Sequence, residues 1–272
     1  MPDRYAVFGH PVGHSRSPWI HARFAELTGQ RITYEARDVP PGGFDAALSE
    51  FLAQGGRGLN VTLPHKLAAF SAADFLTARA QHAGAVNTLA LQPHGLLGDN
   101  TDGAGLLRDL EARLNLQVGG RRILLVGAGG AARGALAALL AAGAAEVVIA
   151  NRSTDRAEAL AADFRSDGEV SGLGLAQAKG PFALVVNATS ASLEGTVPAL
   201  PDAVIRQDTV CYDMAYGAGP TAFMRWAEAR GAARVADGTG MLVEQAAESF
   251  ELWRKVRPPT SLVLAELRRR LA

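Results

Sequence analysis

Four short polar clusters hold the residues of this chain best suited to chemistry. They are His14-Ser15-Arg16-Ser17-Pro18, Asn60-Val61-Thr62-Leu63-Pro64-His65-Lys66, Gly84-Ala85-Val86-Asn87-Thr88 and Gly98-Asp99-Asn100-Thr101-Asp102-Gly103. Each follows an apolar strand or opens a helix, where α/β sheets present ligand-binding groups. Their side chains are small neutral donors and acceptors with one lysine and one or two aspartates. That mixture suits a polyhydroxylated small molecule better than a phosphate or an apolar ligand. Singly, each residue also has an ordinary role: Ser17 and Thr101 as helix caps, Asn87 as a turn residue, Lys66 as a surface cation.

A fifth motif lies further along. After the apolar run Ile123-Leu124-Leu125-Val126 comes Gly127-Ala128-Gly129-Gly130-Ala131-Ala132, which satisfies G-x-G-x-x-G/A. A strand before it and a helical pattern after it fit a dinucleotide turn, in which glycines allow close backbone approach and the helix N-terminus offers N–H donors to a pyrophosphate. NAD sites carry an acid about 20 residues beyond the turn. Here the next strand ends in Ile149-Ala150 and runs into Asn151-Arg152-Ser153-Thr154-Asp155-Arg156. Guanidinium groups at Arg152 and Arg156 match a 2′-phosphate, so the expected cofactor is NADP(H).

The elements that must position these groups alternate between short apolar segments and helical patterns, the mark of an α/β chain with parallel strands. Strands are expected at Tyr5–Phe8, Thr33–Asp38 and Gly58–Val61, and helices at Pro18–Thr28 and Phe44–Gln54. A hairpin of Thr88–Leu91 and Leu96–Gly98 turns at Pro93-His94-Gly95. A helix over Thr101–Asn115 connects to a second unit, with strands at Ile123–Val126, Val147–Ala150, Leu184–Asn187 and Thr209–Tyr212 and helices at Gly129–Ala142 and Thr154–Phe164. Helices over Met241–Lys255 and Ser261–Leu271 close the chain. The expected fold class is thus a two-domain α/β protein: an N-terminal α/β substrate domain (1–102 with 239–272) and a Rossmann-type, doubly wound NADP-binding domain (103–238).

Composition narrows the function classes. The 272 residues are long enough for two domains. Lys+Arg and Asp+Glu are both 27, so no global field draws the protein to nucleic acid or to an anionic membrane. Cys211 is the only cysteine, which excludes an internal disulfide framework and a cysteine-cluster metal site. The longest apolar stretch, Ala135 to Ala145, falls far short of the ~20 residues of a membrane span, and no secretory signal opens the chain. The cytoplasm is the expected compartment. The three N-x-S/T sequons at Asn60, Asn151 and Asn187 then need an explanation other than glycosylation.

Taken together, Ser15-x-Ser17-Pro, Asn60-Val-Thr-x-Pro-x-Lys66, Gly84-Ala-Val-Asn87-Thr, Gly98-Asp-Asn-Thr-Asp102-Gly, the Gly127 turn, Asn151-Arg152, Asn187-Ala-Thr-Ser and Asp237-Gly-x-Gly-Met-Leu-Val-x-Gln245-Ala resemble the shikimate dehydrogenase family, in order from about Tyr5 to Trp253. The resemblance implies reversible NADPH-dependent reduction of 3-dehydroshikimate to shikimate. It implies that Ser15 and Ser17, with Tyr216, bind the substrate carboxylate, and that Thr62, Lys66, Asn87, Asp102 and Gln245 hold the ring hydroxyls. Lys66 and Asp102 are the implied catalytic pair. On the cofactor side it implies Gly127, Ala128, Gly129, Gly130, Ala131, Asn151, Arg152, Ser153, Arg156, Thr189, Ser190, Met214, Gly238 and Met241. The three sequons then read as asparagines beside ligands. The implied partner is the small substrate alone, in a monomer or homodimer whose two units close around the reaction.

Elementary chemistry supports the pair. Hydride transfer to a carbonyl builds charge on oxygen and needs a donor, and Lys66 is the only lysine in the four clusters. Two departures from the family pattern stand out: Ala191-Ser192 follows Asn187-Ala-Thr-Ser where a glycine is common two residues after the Ser, and Thr239 replaces a frequent Leu. The rival readings are a quinate-accepting, NAD-using branch of the same family and a non-catalytic NADP-binding regulator. A metal site is not expected, because Pro11 and Gly13 break the spacing between His10 and His14 and no H-E-x-x-H occurs. His65 is read as a packing residue or a support to Lys66, not as a base.

Overall fold

The computed structural model describes residues 1–272 and divides them into two compact units, 1–105 with 243–267 and 106–242 with 268–272. The divisions fall after Gly105 and Leu242, inside helices, rather than at 102/103 and 238/239, and the last five residues pack with the second unit.

The first unit contains β1 (Asp3–Gly9), α1 (Ser17–Thr28), β2 (Ile32–Asp38), α2 (Phe44–Ala53), β3 (Gly56–Val61), α3 (Lys66–Ala72), β4 (Phe75–Leu76), α4 (Ala78–Ala83), β5 (Thr88–Gln92) and β6 (Gly95–Asp99). Its six-stranded sheet has the order β2-β1-β3-β5-β6-β4. The sheet is mixed: β1 runs parallel to β2 and β3, whereas β5 runs antiparallel to β3 and β6. The hairpin turns on Pro93-His94 alone, since Gly95 already pairs with Gln92. Pro18 is the second residue of α1, within the first turn where a missing N–H costs nothing, and Gly29 closes the helix. Phe8, Phe44, Phe51, Leu59, Val61 and Leu89 form the core of this unit.

Helix α5 (Asp102–Leu114) leads into the second unit and ends at Asn115, whose φ of 43° stops it. Then follow β7 (Arg122–Val126), α6 (Gly130–Ala141), β8 (Glu146–Asn151), α7 (Thr154–Asp163), β9 (Val170–Gly174), β10 (Leu184–Asn187), β11 (Val210–Asp213), α8 (Ala222–Glu228) and β12 (Arg234–Ala236). All strand pairs are parallel, in the order β12-β11-β10-β7-β8-β9. Read from the other edge, this is the doubly wound order of a dinucleotide-binding sheet, with its crossover switch between β7 and β10. Alternation along β7 explains why both faces are covered: Ile123 and Leu125 join one apolar cluster, Leu124 and Val126 another. Helices α9 (Thr239–Arg254) and α10 (Thr260–Leu271) end the chain.

The short elements α3, α4, α8, β4, β9 and β12 escape the pattern reading. Most are too brief to show a period, and β9 carries two glycines that weaken its strand signature. One of them, Gly172, is required there because a Cβ would lie 2.3 Å from the Ala157 carbonyl carbon.

Candidate active site

The first unit brings its polar clusters together on one buried layer. Lys66 is the first residue of α3, and His65 before it is anchored by Nε2 to the Val39 carbonyl at 2.6 Å. A carbonyl only accepts, so this nitrogen carries the proton, and His65 is held as a structural support. The Lys66 carbonyl accepts from Val86 N at 3.1 Å, which ties the lysine to the strand entering Asn87. Its Nζ donates to Asp102 Oδ2, with side-chain exposures of 17% and 12%. Asp102 sits in the first turn of α5, where a carboxylate meets the positive end of the helix.

Asn87 sets the other half of this arrangement. Its Oδ1 accepts from the Thr101 backbone N–H at 2.8 Å, a group that can only donate, so its Nδ2 must face away. That nitrogen donates to Asp102 Oδ1 at 2.8 Å and Thr101 Oγ1 at 3.0 Å, with the Gln245 Oε1 at 3.5 Å. Asn60 lies one step deeper. Its Nδ2 donates to Ser249 Oγ at 2.8 Å and Thr88 Oγ1 at 3.1 Å, and its Oδ1 accepts from the Tyr34 hydroxyl at 2.8 Å. Burial pushes the Tyr34 phenol well above its usual pKa, against the opposing effect of a hydrogen bond from Ser17. Asn60 Nδ2 also reaches the Asn87 carbonyl at 3.3 Å, so Tyr34, Asn60, Asn87 and Asp102 form one connected polar chain.

The ordinary roles do not hold for Ser17 and Lys66, whereas Thr101 does stand directly before α5, its carbonyl accepting from Gly105 N at 2.9 Å. Ser17 is not the cap of α1: that position is Arg16 and has no side-chain cap, whereas Ser15 Oγ accepts from Ser17 N at 3.3 Å. Asn87 is buried in the bend just before β5, and Lys66 is paired rather than solvated. Thr62, partly buried, follows β3 with its backbone N donating to Phe8 O. Thr88, Ser249 and Tyr34 are the members of the layer to which pattern reading gives no role, whereas Asn60 reads as an asparagine beside a ligand. Ser249 carries no local signal at all, being 189 positions from its partner Asn60.

In the second unit, the glycine turn and the later motifs gather at the C-terminal ends of the parallel strands. Gly127 N donates to Ala150 O, Ala188 N to Val126 O, Met214 N to Asn187 O and Gly238 N to Ala215 O, which ties the ends of β7, β8, β10 and β11 in series. Gly127 has φ +112°, reachable only by glycine. A Cβ on Gly129 or Gly130 would meet nothing within 4 Å, so the start of α6 is open to a ligand. Partly buried Ala128 and Ala131 flank these two exposed glycines. Gly238 has the opposite reason: a Cβ there would lie 2.2 Å from the Met214 carbonyl oxygen. Met241 is buried, and Met214, Thr189 and Tyr216 are partly so. At the end of β8, Asn151 Nδ2 donates to Ser153 O at 3.0 Å. Arg152, Ser153 and Arg156 stand exposed, as does Ser190. The open glycine turn and the exposed guanidiniums in place of an acid fit an NADP-type dinucleotide.

Other candidates are otherwise engaged. His10 Nδ1 bonds Asp38 Oδ1 at 2.5 Å, and no group of three or more His, Cys, Asp or Glu is placed to hold a metal ion. Cys211 is buried in β11, and burial pushes its thiol pKa up to about 12, which leaves no thiolate for nucleophilic chemistry. No helix is long and apolar enough to cross a membrane.

Three family models match the chain: a shikimate dehydrogenase substrate binding domain over residues 7–89, a shikimate / quinate 5-dehydrogenase over 110–193 and a shikimate 5'-dehydrogenase C-terminal domain over 238–268. A shikimate dehydrogenase (NADP(+)) from Alkalilimnicola ehrlichii is 54% identical over 268 residues, 98% of this chain and 99% of the relative. Among solved structures, shikimate 5-dehydrogenase of Thermus thermophilus in complex with NADP(H) and shikimate superposes with a TM-score of 0.89 at 38% identity, covering 99% of this chain and 100% of that one. The ligand-free 5-ketofructose reductase of a Gluconobacter species has the same TM-score, 0.89, at 30% identity, covering 100% and 99%.

Proposed function

The chain belongs to the shikimate dehydrogenase family, and from that premise we propose that it interconverts 3-dehydroshikimate and shikimate, with Lys66 and Asp102 as its catalytic residues. It is an NADP-dependent oxidoreductase of the shikimate pathway. The observation that carries the site assignment is the Lys66–Asp102–Asn87 arrangement, in which each carboxylate oxygen has one donor.

The substrate residues divide by chemistry. Ser15 and Ser17 offer hydroxyl donors to a carboxylate, with Tyr216 from the loop after β11. Thr62, Lys66, Asn87, Asp102 and Gln245 offer donors and acceptors to ring hydroxyls. Gly127 to Ala131 offer backbone N–H groups to a pyrophosphate. Arg152 and Arg156, beside Asn151 and Ser153, offer guanidinium forks to a 2′-phosphate. Thr189, Ser190, Met214, Gly238 and Met241 are assigned to the nicotinamide end of the dinucleotide.

NADPH, when bound, supplies the hydride that reduces the ketone. Lys66 donates to the carbonyl oxygen as negative charge develops on it and gives that oxygen the proton that completes the alcohol, the amine then regaining a proton from solvent. Asp102 accepts from the ammonium and holds it on target. Asn87 holds Asp102, so the pair needs little reorganisation during reaction. In the oxidative direction the same groups take the hydroxyl proton.

The direct test is absorbance at 340 nm with shikimate or quinate, each with NADP or NAD. Reduction that requires shikimate and NADP supports the reading. Equal rates with quinate or NAD place the protein in the broader branch, and no rate in any pairing overturns the catalytic assignment.

A further inference from the structure

A second buried polar centre lies in the second unit, apart from the residues assigned above. Asp213, at the end of β11, is fully buried. Its Oδ1 accepts from Asn187 Nδ2 at 3.0 Å and from Ala215 N at 3.1 Å. Its Oδ2 accepts from Ser192 Oγ at 2.5 Å and Thr221 Oγ1 at 2.6 Å. These donors come from four separate places: the end of β10, the 3-10 turn Ala191–Glu194, the loop after β11 and the N-cap of α8. No arginine or lysine is bonded to the carboxylate, so hydrogen bonds alone offset its burial. Such a group is costly to keep, and its partners show what it holds.

Asn187 relays the contact. Its Oδ1 accepts from Thr189 N at 3.2 Å and Thr189 Oγ1 at 2.7 Å, and its backbone carbonyl accepts from Met214 N at 2.9 Å. The Asp213 carboxylate thus joins the segment carrying Thr189 and Ser190 to the segment carrying Met214. Ser192, the residue at which this loop departs from the family pattern, is one of the four donors. A glycine there has no hydroxyl and could not make the bond.

We propose that Asp213, clasped by Ser192, is a positioning residue for the dinucleotide: it sets the two loops that present Thr189, Ser190 and Met214, and touches neither substrate nor cofactor itself. The inference rests on the NADP reading above. Ser192 adds a hydroxyl tether in place of the backbone freedom of a glycine.

The test is calorimetric titration of NADP+ into the full-length protein and its Ser192→Ala, Asp213→Ala and Asp213→Asn variants, with melting temperatures measured alongside. Asparagine can keep all four contacts, because its oxygen can face Asn187 and Ala215 while both hydroxyls rotate to accept from its amide. The expected result is an NADP+ Kd raised about tenfold or more by Asp213→Ala and about threefold by Ser192→Ala, with Asp213→Asn within about twofold of the parent. In turnover the loss should fall on the KM for NADP, with kcat at saturating cofactor largely kept. Variants that bind NADP+ as the parent does while melting earlier would overturn the proposal and leave Asp213 a stability residue. If Asp213→Ala does not fold, Ser192→Ala decides alone, since it removes one of four donors. A parent protein that binds no NADP+ would instead refute the cofactor reading.

Discussion

Asn87 donates through Nδ2 to Asp102 Oδ1 at 2.8 Å, and this one bond leaves the other carboxylate oxygen to Lys66. The asparagine cannot flip, because the Thr101 N–H holds its oxygen at 2.8 Å. The orientation of the proposed proton donor is therefore set by an amide two contacts away.

Removing the ammonium should strike turnover more than binding. Lys66→Ala is expected to lower kcat by about 10²- to 10⁴-fold with a small change in shikimate KM. Asp102→Ala should damage both, because the carboxylate also faces ring hydroxyls in this reading. Steady-state kinetics with shikimate and NADP checks this, and near-normal turnover in Lys66→Ala would refute the assigned role.

Asn87→Asp is a sharper probe than Asn87→Ala. It puts a second carboxylate where Asn87 Nδ2 now donates to Asp102, exchanging a hydrogen bond for like-charge contact. A loss of about 100-fold in kcat/KM for shikimate is expected at neutral pH. Binding of NADP+, measured by titration, should stay unchanged.

Arg152→Ala should raise the KM for NADP about tenfold to a hundredfold, the worth of a charge-assisted contact to phosphate, while leaving the KM for NAD unaltered. Arg156→Ala should act in the same direction. If NAD and NADP suffer equally in Arg152→Ala, the arginine does not read the 2′-phosphate.

Gly129→Ala separates fold from ligand. A Cβ there meets nothing within 4 Å, and the residue's φ of −96° suits alanine. The melting temperature should stay within a degree or two, while NADP+ affinity falls because the methyl enters the open start of α6. Unchanged affinity would place the pyrophosphate elsewhere.

The pH dependence of stability has a local source in His21. Burial lowers its pKa from 6.5 to about 3, both ring nitrogens lack hydrogen-bond partners, and the ring stacks on Tyr34 at 4.2 Å. Below pH 6.5 the unfolded chain takes up a proton at this site that the folded chain refuses down to about pH 3. Stability is thus lost as pH falls through that window, by about 1.4 kcal/mol per unit from this group. Urea denaturation at pH 7 and pH 5 should show a drop of roughly 2 kcal/mol from His21, and His21→Phe should flatten the curve by that amount.

Much of the architecture was legible because its signals are local. The alternation of apolar runs with helical periods marks β1, β7, β8 and β10 and the helices between them, and the glycine turn declares itself by its place after β7. The side chains suited to polar chemistry stood in short motifs, so Lys66, Asn87 and Asp102 could be named from their neighbours in the chain. Short or glycine-bearing elements such as β4 and β9 show no such period, and only sheet pairing reveals them.

What the chain order could not display is which polar groups meet. Asn60 finds Ser249 across 189 positions, and Asp213 finds Ser192 across 21. Hydrogen bonds of this kind leave no periodicity, because their partners are chosen by the crossing of strands and helices rather than by spacing. Residue type told which side chains could bind or donate. Folding decided that Ser17 would not cap its helix, that Asn87 would hold Asp102, and that a buried carboxylate would tie two loops together.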